Sequence, residues 1–236
     1  MRIDRNSIAV VLVGVVLLAL GPVLPSWAVS LLNVALCYGT VVLGMMLLMR
    51  TGIVSFGHGL YYCLGAYAAG LLDHFGKMPD MLLMVGAGAV TAGLVAAVLG
   101  LLLAKYRDIF FAMLSLAFSM ILYGLLVKTA SLGSTDGFNV AAKTVGGIVI
   151  AEDSVRIVVY SLAVVFATLS AFLLHQYLAS HQGRLAGAIK DNELRVEYMG
   201  ASVKAAVHRN YVISAVLAGI GGALMAVNIG HIDPEM

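Results

Sequence analysis

Long uncharged runs recur along this chain and restrict what it can fold into. Residues 27–49 form 23 consecutive residues without Asp, Glu, Lys or Arg. As an α-helix, this run would be about 34 Å long, which is enough to cross the hydrocarbon core of a bilayer. Of the 236 residues, 61% are hydrophobic and 11% are charged, a balance that excludes a soluble globular domain. The sequence therefore predicts an all-α, polytopic integral membrane protein.

The apolar runs predict about seven membrane helices. They comprise residues 7–24, 27–49, 60–72, 81–104, 109–127, 155–178 and 211–230. The first run follows a basic head with Arg2 and Arg5, which is also typical of a cleaved signal peptide. We favour a retained helix, because Pro22 and Pro25 end the run as a turn and another apolar run follows directly.

Small residues repeat at four-residue spacing in the fourth and seventh predicted helices. They are Ala89, Gly93 and Ala97 in the fourth, and Ala218, Gly222 and Ala226 in the seventh. Because small residues let helix backbones approach closely, each stripe is predicted to be a face of helix–helix contact.

Residues 51–59 interrupt the apolar pattern with three glycines, a serine and a histidine. The run that follows, residues 60–72, would be only about 20 Å long as a helix, too short to span a bilayer. Either the third helix begins near Ile53, or residues 51–60 contain a broken or re-entrant segment of irregular backbone buried among neighbouring helices. Transporters use such backbone to build solute sites. The predicted substrate path comprises Ser55, Phe56, Gly57, His58, Gly59 and Tyr62.

His58 allows two interpretations. Beside glycine amides, its imidazole could bind a carboxylate or respond to pH. The commoner arrangement is a hydrogen bond to a neighbouring helix. Ser55 and His58 are also the only nearby nucleophile and base for an intramembrane hydrolase, although a glycine-flanked helix entry explains them more simply. For Tyr62, aromatic packing is the alternative to a place in the path.

Residues 180–210 are the only long polar stretch of the chain. Its first part is predicted to form a short helix that opens at Gly183. Leu185, Ala188 and Ile189 would give this helix a narrow apolar stripe, because they lie at i, i+3 and i+4.

A second short helix is predicted after the first. Asn192 is its expected N-cap, and Gly200 suits the left-handed position that closes a helix. Two short amphipathic helices would suit the docking of a soluble partner. A solvated connecting loop is the alternative interpretation.

The positive charges predict the orientation of the chain. With the N-terminus inside, ten of them would be cytoplasmic: Arg2, Arg5, Arg50, Lys105, Arg107, Arg184, Lys190, Arg195, Lys204 and Arg209. Four would lie outside: Lys77, Lys128, Lys143 and Arg156. This asymmetry obeys the positive-inside rule, so we expect a cytoplasmic N-terminus and a cytoplasmic 180–210 loop.

Several segments together resemble one family of transport proteins. They are residues 55–59 with 65–67, 110–118, 134–138, 183–184 with 188–193 and Gly200, and 211–224. In order and spacing they cover most of residues 33–234 and resemble the LivM-type permease of branched-chain amino acid ABC importers. The sequence departs from the pattern where Ser134 replaces one of the usual paired glycines. The wider ABC-importer loop has an acidic residue and two alanines before the glycine, where this chain has residues 194–196 (Leu-Arg-Val).

This resemblance implies a permease subunit for branched-chain amino acids, or for a related small solute such as urea or an amide, in the bilayer of a bacterial inner membrane. The implied partners are a second homologous permease chain, two ATPase subunits and a periplasmic substrate-binding protein. ATP would be held by the ATPase subunits, and we expect neither a cofactor in this chain nor a nucleic-acid partner. The resemblance assigns ATPase coupling to Gly183, Arg184, Ala188, Ile189, Asp191, Asn192, Glu193 and Gly200.

Relatives in that family continue for further helices after a segment like residues 231–235, so residues 1–236 are expected to be a C-terminally truncated form of one permease domain. No predicted span carries a charged residue in its middle, which argues against an ion-coupled transporter. The sequence also lacks a Gly-Lys-Ser or Gly-Lys-Thr phosphate loop. Energy would come from a separate subunit, or from none, in which case the alternative is a facilitative channel or uniporter that needs no nucleotide.

Overall fold

The computed structural model describes residues 5–74, 76, 80–140 and 144–234. Arg2, Lys77 and Lys143, which entered the orientation prediction, lie outside these ranges. The described helices are α1 (Arg5–Leu20), α2 (Ser26–Arg50), α3 (His58–His74), α4 (Met81–Leu103), α5 (Asp108–Lys128), α6 (Glu152–Ala179), α7 (His181–Asp191), α8 (Glu193–Tyr198) and α9 (Val203–Ile229). The strands are β1 (Phe138–Asn139), β2 (Thr144–Val145), β3 (Ile148–Val149) and β4 (His231–Ile232).

Five helices in the described ranges are long and apolar enough to cross a membrane: α2, α4, α5, α6 and α9. The helix α1 is apolar but has 16 residues, and α3 has 17 residues. The predicted all-α, polytopic membrane fold is therefore confirmed, whereas the number of crossings, about seven, stays a prediction.

The helix α9 packs against α2, α3 and α4 through positions that lack side chains. A Cβ on Gly222 would overlap the backbone carbonyl oxygen of Tyr62 in α3. A Cβ on Gly219 would lie 2.6 Å from the carbonyl oxygen of Gly88 in α4. Because these contacts are made to backbone atoms, a side chain at either position would push a whole helix away.

The structure confirms one predicted small-residue face and corrects the other. The three predicted positions of α9, Ala218, Gly222 and Ala226, are buried. In α4 the fully buried small residues lie one position earlier than predicted, at Gly88, Ala92, Ala96 and Gly100. Gly93 of the predicted stripe still contacts α9, because an added Cβ would lie 2.9 Å from Cγ2 of Val216. Ala89, Gly93 and Ala97 are only partly buried. Both sets repeat every four residues, so spacing alone could not distinguish them.

The seventh predicted helix was also too short at its start. The helix α9 begins at Val203 and not at residue 211, after the N-cap Ser202, whose hydroxyl oxygen accepts from the Ala205 N–H at 3.3 Å. Val203 and Val207 are buried, which extends the apolar face of the helix past Lys204. The last residues of the 180–210 loop are therefore the first two turns of α9.

The polar segment before α6 folds over one end of the bundle. Its strand β1 pairs with β4, and β2 pairs with β3, both antiparallel. Asp80 caps α4 by accepting from the Leu82 N–H at 2.9 Å, and its second carboxylate oxygen accepts from the Gly147 N–H at 2.8 Å. One carboxylate thus ties the β2–β3 hairpin to the start of α4.

Candidate functional site

Residues 51–57 connect α2 to α3 without helical structure and are here called the entry segment. Of the two predicted alternatives, irregular backbone is the one observed, since α3 begins only at His58. Buried and exposed residues alternate along the segment. The buried positions are Thr51, Ile53, Ser55 and Gly57, and the exposed ones are Gly52, Val54 and Phe56.

The entry segment lies directly against α5. A Cβ on Gly57 would be 2.6 Å from the carbonyl oxygen of Ser115, so the backbones are too close for a side chain there. The Ser115 hydroxyl oxygen accepts from the Phe56 N–H at 3.3 Å, and Ser55 Oγ accepts from the Gly57 N–H at 3.3 Å. These bonds satisfy two amides of non-helical backbone, which would be costly to leave unpaired in a buried segment.

The first end of the entry segment is hydrogen-bonded to α9. Asn210 Nδ2 donates to Thr51 Oγ1 at 3.1 Å. Thr51 donates in turn to the carbonyl oxygen of Leu47 in α2, also at 3.1 Å. Asn210 and Thr51 are 0% and 2% exposed, so this junction of α2, α9 and the entry segment is closed to solvent.

The second end of the segment is joined to α9 by His58, the hydrogen bond to a neighbouring helix that one of its two interpretations predicted. His58 Nε2 lies 2.5 Å from Ser214 Oγ, and Ser214 donates to the Gly44 carbonyl oxygen at 2.8 Å. Because the hydroxyl has one proton, we assign the bridging proton to Nε2. In the described chain Ser55 bonds its own loop and His58 bonds Ser214, so they form no nucleophile–base pair.

The remaining predicted path residues are not gathered in one place. Phe56 is 61% exposed, whereas Tyr62 is 4% exposed. Gly59 lines a cavity of about 280 Å³ between α3 and α5, which Ser119 and Tyr123 line from the α5 side. Of the predicted path residues, Ser55, Gly57 and His58 are buried and fix the entry segment, and Phe56 and Gly59 are exposed beside α5. Tyr62 packs in the bundle core and stacks on Tyr38 of α2.

The helices α7 and α8 confirm the two short helices predicted within residues 180–210. The predicted opening at Gly183 was wrong, because Ser180 is the N-cap and its hydroxyl oxygen accepts from the Gly183 N–H at 3.2 Å. Gly183 has a different role. A Cβ on it would overlap the carbonyl oxygen of Tyr177, so this glycine lets α7 pack onto the end of α6.

One face of α7 is buried and the other is exposed. The buried residues are Gly183, Ala186 and Ile189. The predicted apolar stripe was wrong at Ala188, which is exposed, because the close contact of Gly183 with α6 fixes the rotation of the helix. Arg184, Ala188 and Asp191 lie exposed at i, i+4 and i+7, which places these predicted coupling residues on one continuous face.

The buried face of α7 contacts the entry segment. Ile189 and Ile53 are 1% and 2% exposed and belong to one buried apolar cluster. A Cβ on Gly52 would lie 3.2 Å from Cγ of Lys190. The 180–210 loop and the entry segment therefore share a packed core, and neither can move far without the other.

The predicted ends of α8 are confirmed. Asn192 Oδ1 accepts from the Arg195 N–H at 3.0 Å, as an N-cap does. Gly200 has φ +85°, and its N–H donates to the Glu197 carbonyl oxygen at 2.9 Å. A left-handed glycine thus closes the helix.

The sequence did not predict the ion pair that joins α8 to the membrane domain. Glu193 Oε1 lies 2.6 Å from Nε of Arg107, in the turn between α4 and α5. Arg107 also donates from Nη1 to the Ala104 carbonyl oxygen at 2.8 Å. Glu193, a predicted coupling residue, therefore faces its own chain. Residue spacing along one helix cannot predict an ion pair between residues that lie 86 positions apart in sequence.

Three large apolar side chains in and after α8 are exposed, and the sequence analysis missed them. Leu194, Tyr198 and Met199 are 64%, 89% and 80% exposed. Large apolar groups on a polar surface mark contact sites for other proteins. The burial of Val196 turns the opposite face of α8 outward, a rotation that the sequence of this short helix did not reveal.

The family model and the relatives that match this chain all describe the same kind of protein. The family model described as branched-chain amino acid transport system / permease component matches residues 27–236. The high-affinity branched-chain amino acid transport system permease protein LivM of Escherichia coli (strain K12) is 27% identical over 215 residues. The protein of the same name from Salmonella typhimurium (strain LT2) is 26% identical over 207 residues. Each match covers 78% of this chain and 48% of the relative, so the chain spans about half their length. No solved structure matches the chain.

Proposed function

The chain belongs to the family of permease components of branched-chain amino acid transport systems, and we propose that it is a membrane subunit of an ABC importer in the bacterial inner membrane. The proposed cargo is a branched-chain amino acid or a related small solute such as urea or an amide. Two relatives carry the name of a high-affinity branched-chain amino acid permease, which supports the first of these.

The contact between α7 and the entry segment is the observation that carries this proposal. An importer must pass movement of its ATPase into the membrane, and here an exposed helix packs through Ile189 on a non-helical segment of the membrane domain. Because packed cores move as units, a partner that displaces α7 would displace Ile53 with it. The entry segment would then change the path beside Gly59 and α5.

We assign the exposed surface of α7 and α8 to an ATPase partner. Arg184 and Asp191 would supply its polar contacts, and Tyr198 and Met199 would supply apolar anchors of the kind that dominate interface energies. ATP would bind to two such ATPase subunits and not to this chain. The N-terminus would be cytoplasmic, as the distribution of positive charges predicts.

The other proposed partners complete the path. A second homologous permease chain would supply the other half of the pore, and a periplasmic binding protein would deliver the solute. The helix α5 supports a lateral neighbour or lipid contact, because Phe110, Met113 and Met120 are 73%, 64% and 62% exposed. These apolar side chains would be covered by lipid or by the second permease chain.

Reconstitution into proteoliposomes tests the proposal. Radiolabelled leucine uptake would be measured with the chain alone and with the second permease chain, the ATPases and the binding protein present. We expect ATP-dependent uptake from the complete assembly only. Uptake by the chain alone, independent of ATP, would instead support the facilitative channel or uniporter.

A further inference from the structure

We propose that Tyr177 and Asn210 are positioning residues for coupling: they hold the entry segment to the end of α6, so that movement of α7 reaches Thr51 through them. The inference rests on the proposed function. It adds a polar route between α7 and the entry segment to the buried apolar cluster that contains Ile189 and Ile53.

The route is a chain of hydrogen bonds with a fixed direction. Arg209 Nε donates to the Tyr177 hydroxyl oxygen at 3.1 Å, and that hydroxyl donates to Asn210 Oδ1 at 2.5 Å. Asn210 Nδ2 then donates to Thr51, which donates to the Leu47 carbonyl oxygen, both at 3.1 Å. Each hydroxyl accepts one bond and donates another, so no member of this chain can be removed without leaving a neighbour unpaired.

Burial makes the hydrogen bond between Asn210 and Thr51 costly to separate. Asn210 is 0% exposed and Thr51 is 2% exposed, so water cannot replace a lost partner without entering the core. A displacement of the Tyr177 hydroxyl therefore favours a matching displacement of Asn210 and Thr51, and not a break between them.

The other side of Tyr177 is in contact with α7. Its carbonyl oxygen accepts from the Ser180 hydroxyl at 2.6 Å, and Ser180 is the N-cap of α7. Gly183 of α7 packs on the same carbonyl group. Tyr177 thus contacts α7 through its backbone and α9 through its side chain. A displacement of α7 can therefore pass through Tyr177 to Asn210 and Thr51.

The Tyr61 hydroxyl provides a matched control that distinguishes a coupling role of Tyr177 from a purely structural one. The Tyr61 and Tyr211 hydroxyls form a 2.7 Å hydrogen bond between α3 and α9, and both residues are buried. Tyr61→Phe and Tyr177→Phe each remove one hydroxyl. Tyr61→Phe breaks one hydrogen bond to α9, and Tyr177→Phe breaks two, to Asn210 and Arg209. Only the Tyr177 bonds lead to α7.

The first experiment measures leucine uptake per ATP hydrolysed in the complete reconstituted assembly. For Tyr177→Phe we expect this ratio to fall about fivefold or more, because the ATPases still turn over while the entry segment follows α7 only through the apolar cluster. Tyr61→Phe should keep the ratio of the unaltered chain. If Tyr177→Phe fails to assemble, Thr51→Val removes the next hydroxyl with little change in shape. Thr51→Ser, which keeps the hydroxyl, should restore the ratio.

The second experiment follows the entry segment itself. Val54 is 45% exposed, so a fluorophore on Val54→Cys reports its surroundings when ATP binds to the ATPases. We expect the same ATP-dependent spectral change in the Val54→Cys chain and with Tyr61→Phe added, and a clearly smaller change with Tyr177→Phe added. The inference would be overturned if Tyr177→Phe left both the uptake per ATP and the spectral change at residue 54 unaltered. It would also be overturned if Tyr61→Phe reduced both quantities as much as Tyr177→Phe does. If even the unaltered chain lacks ATP-dependent uptake, the proposed function fails and takes the inference with it.

Discussion

Gly65 of α3 and Gly219 of α9 are in backbone contact, since a Cβ on Gly65 would overlap the Gly219 carbonyl oxygen. Gly88 of α4 reaches the same point, where its added Cβ would lie 3.0 Å from the Gly65 carbonyl oxygen. Three helices therefore meet at positions without side chains. Close approach of this kind gives dispersion contacts that lipid cannot supply equally well, so the three glycines hold the centre of the bundle together.

Gly65→Ala should destabilise the protein by about 1–3 kcal/mol, because the methyl group must push α9 away from α3. Thermal unfolding in detergent measures the effect. Gly86→Ala in α4 is the matched control, since its added Cβ would meet no atom of another described element within 4 Å. Alanine favours helix over glycine, so the control should be neutral or slightly stabilising. Equal losses in both variants would contradict the packing argument.

Gly200→Ala should loosen the end of α8. The residue has φ +85°, a conformation that costs an L-residue about 1–2 kcal/mol. Hydrogen exchange of residues 193–201, followed by mass spectrometry, should be faster by about fivefold to thirtyfold. Gly187→Ala should leave that exchange unchanged, because the position is exposed on α7 and an added Cβ would meet no neighbouring atom in the described part of the chain within 4 Å. If α8 is equally protected from hydrogen exchange in both variants, the positive φ of residue 200 does not contribute to the stability of the helix end.

Arg107→Glu and Glu193→Arg should each loosen the contact of α8 with the α4–α5 turn, and the two together should restore it. The side chains are 23% and 39% exposed, so the coupling free energy should be about 1 kcal/mol or less. Unfolding of the four variants in a double-mutant cycle gives that value. If the change in unfolding free energy of the double variant equals the sum of the two single changes, the ion pair contributes nothing to stability.

The parts of the fold that sequence could predict are those set by local chemistry. Uncharged runs indicate helices in a membrane. Asn192 and Gly200 mark helix ends, because an N-cap needs a side-chain acceptor and a left-handed closing residue is best filled by glycine, which has no Cβ. The face of α4 was predicted one residue off, because almost every residue around that helix is apolar and only its neighbours decide the rotation. In α7 the same choice depended on the contact of Gly183 with Tyr177.

The site could be predicted as two segments but not as one assembly. The glycines and His58 marked the entry segment, and the polar residues marked the 180–210 loop. That these two pack together follows from Ile53 and Ile189, which lie far apart in sequence and look like ordinary apolar residues. The bond of His58 to Ser214 likewise depends on how α3 crosses α9.

Cysteine labelling in sealed cells should place α7 and the β2–β3 hairpin on opposite sides of the membrane. Val149→Cys in β3, at a position 75% exposed, should react with a membrane-impermeant maleimide from outside. Arg184→Cys should react only after permeabilisation. The native Cys37 and Cys63 are 1% and 7% exposed, so they should add little background. Labelling of Arg184→Cys in sealed cells would reverse the proposed orientation.

Tyr198→Ser should weaken the binding of the ATPase partner about tenfold or more, because an exposed aromatic anchor at an interface contributes more than 1 kcal/mol when it is a hot spot. Binding of the purified ATPase to the detergent-solubilised chain measures this directly. The side chain is 89% exposed, so its loss should leave the unfolding temperature of the isolated chain unchanged. Ile148→Ser in β3, at a position 73% exposed, is the control, because the hairpin lies before α6 and α7 lies after it. If both changes weaken binding equally, or neither does, the exposed surface of α8 is not where the ATPase docks.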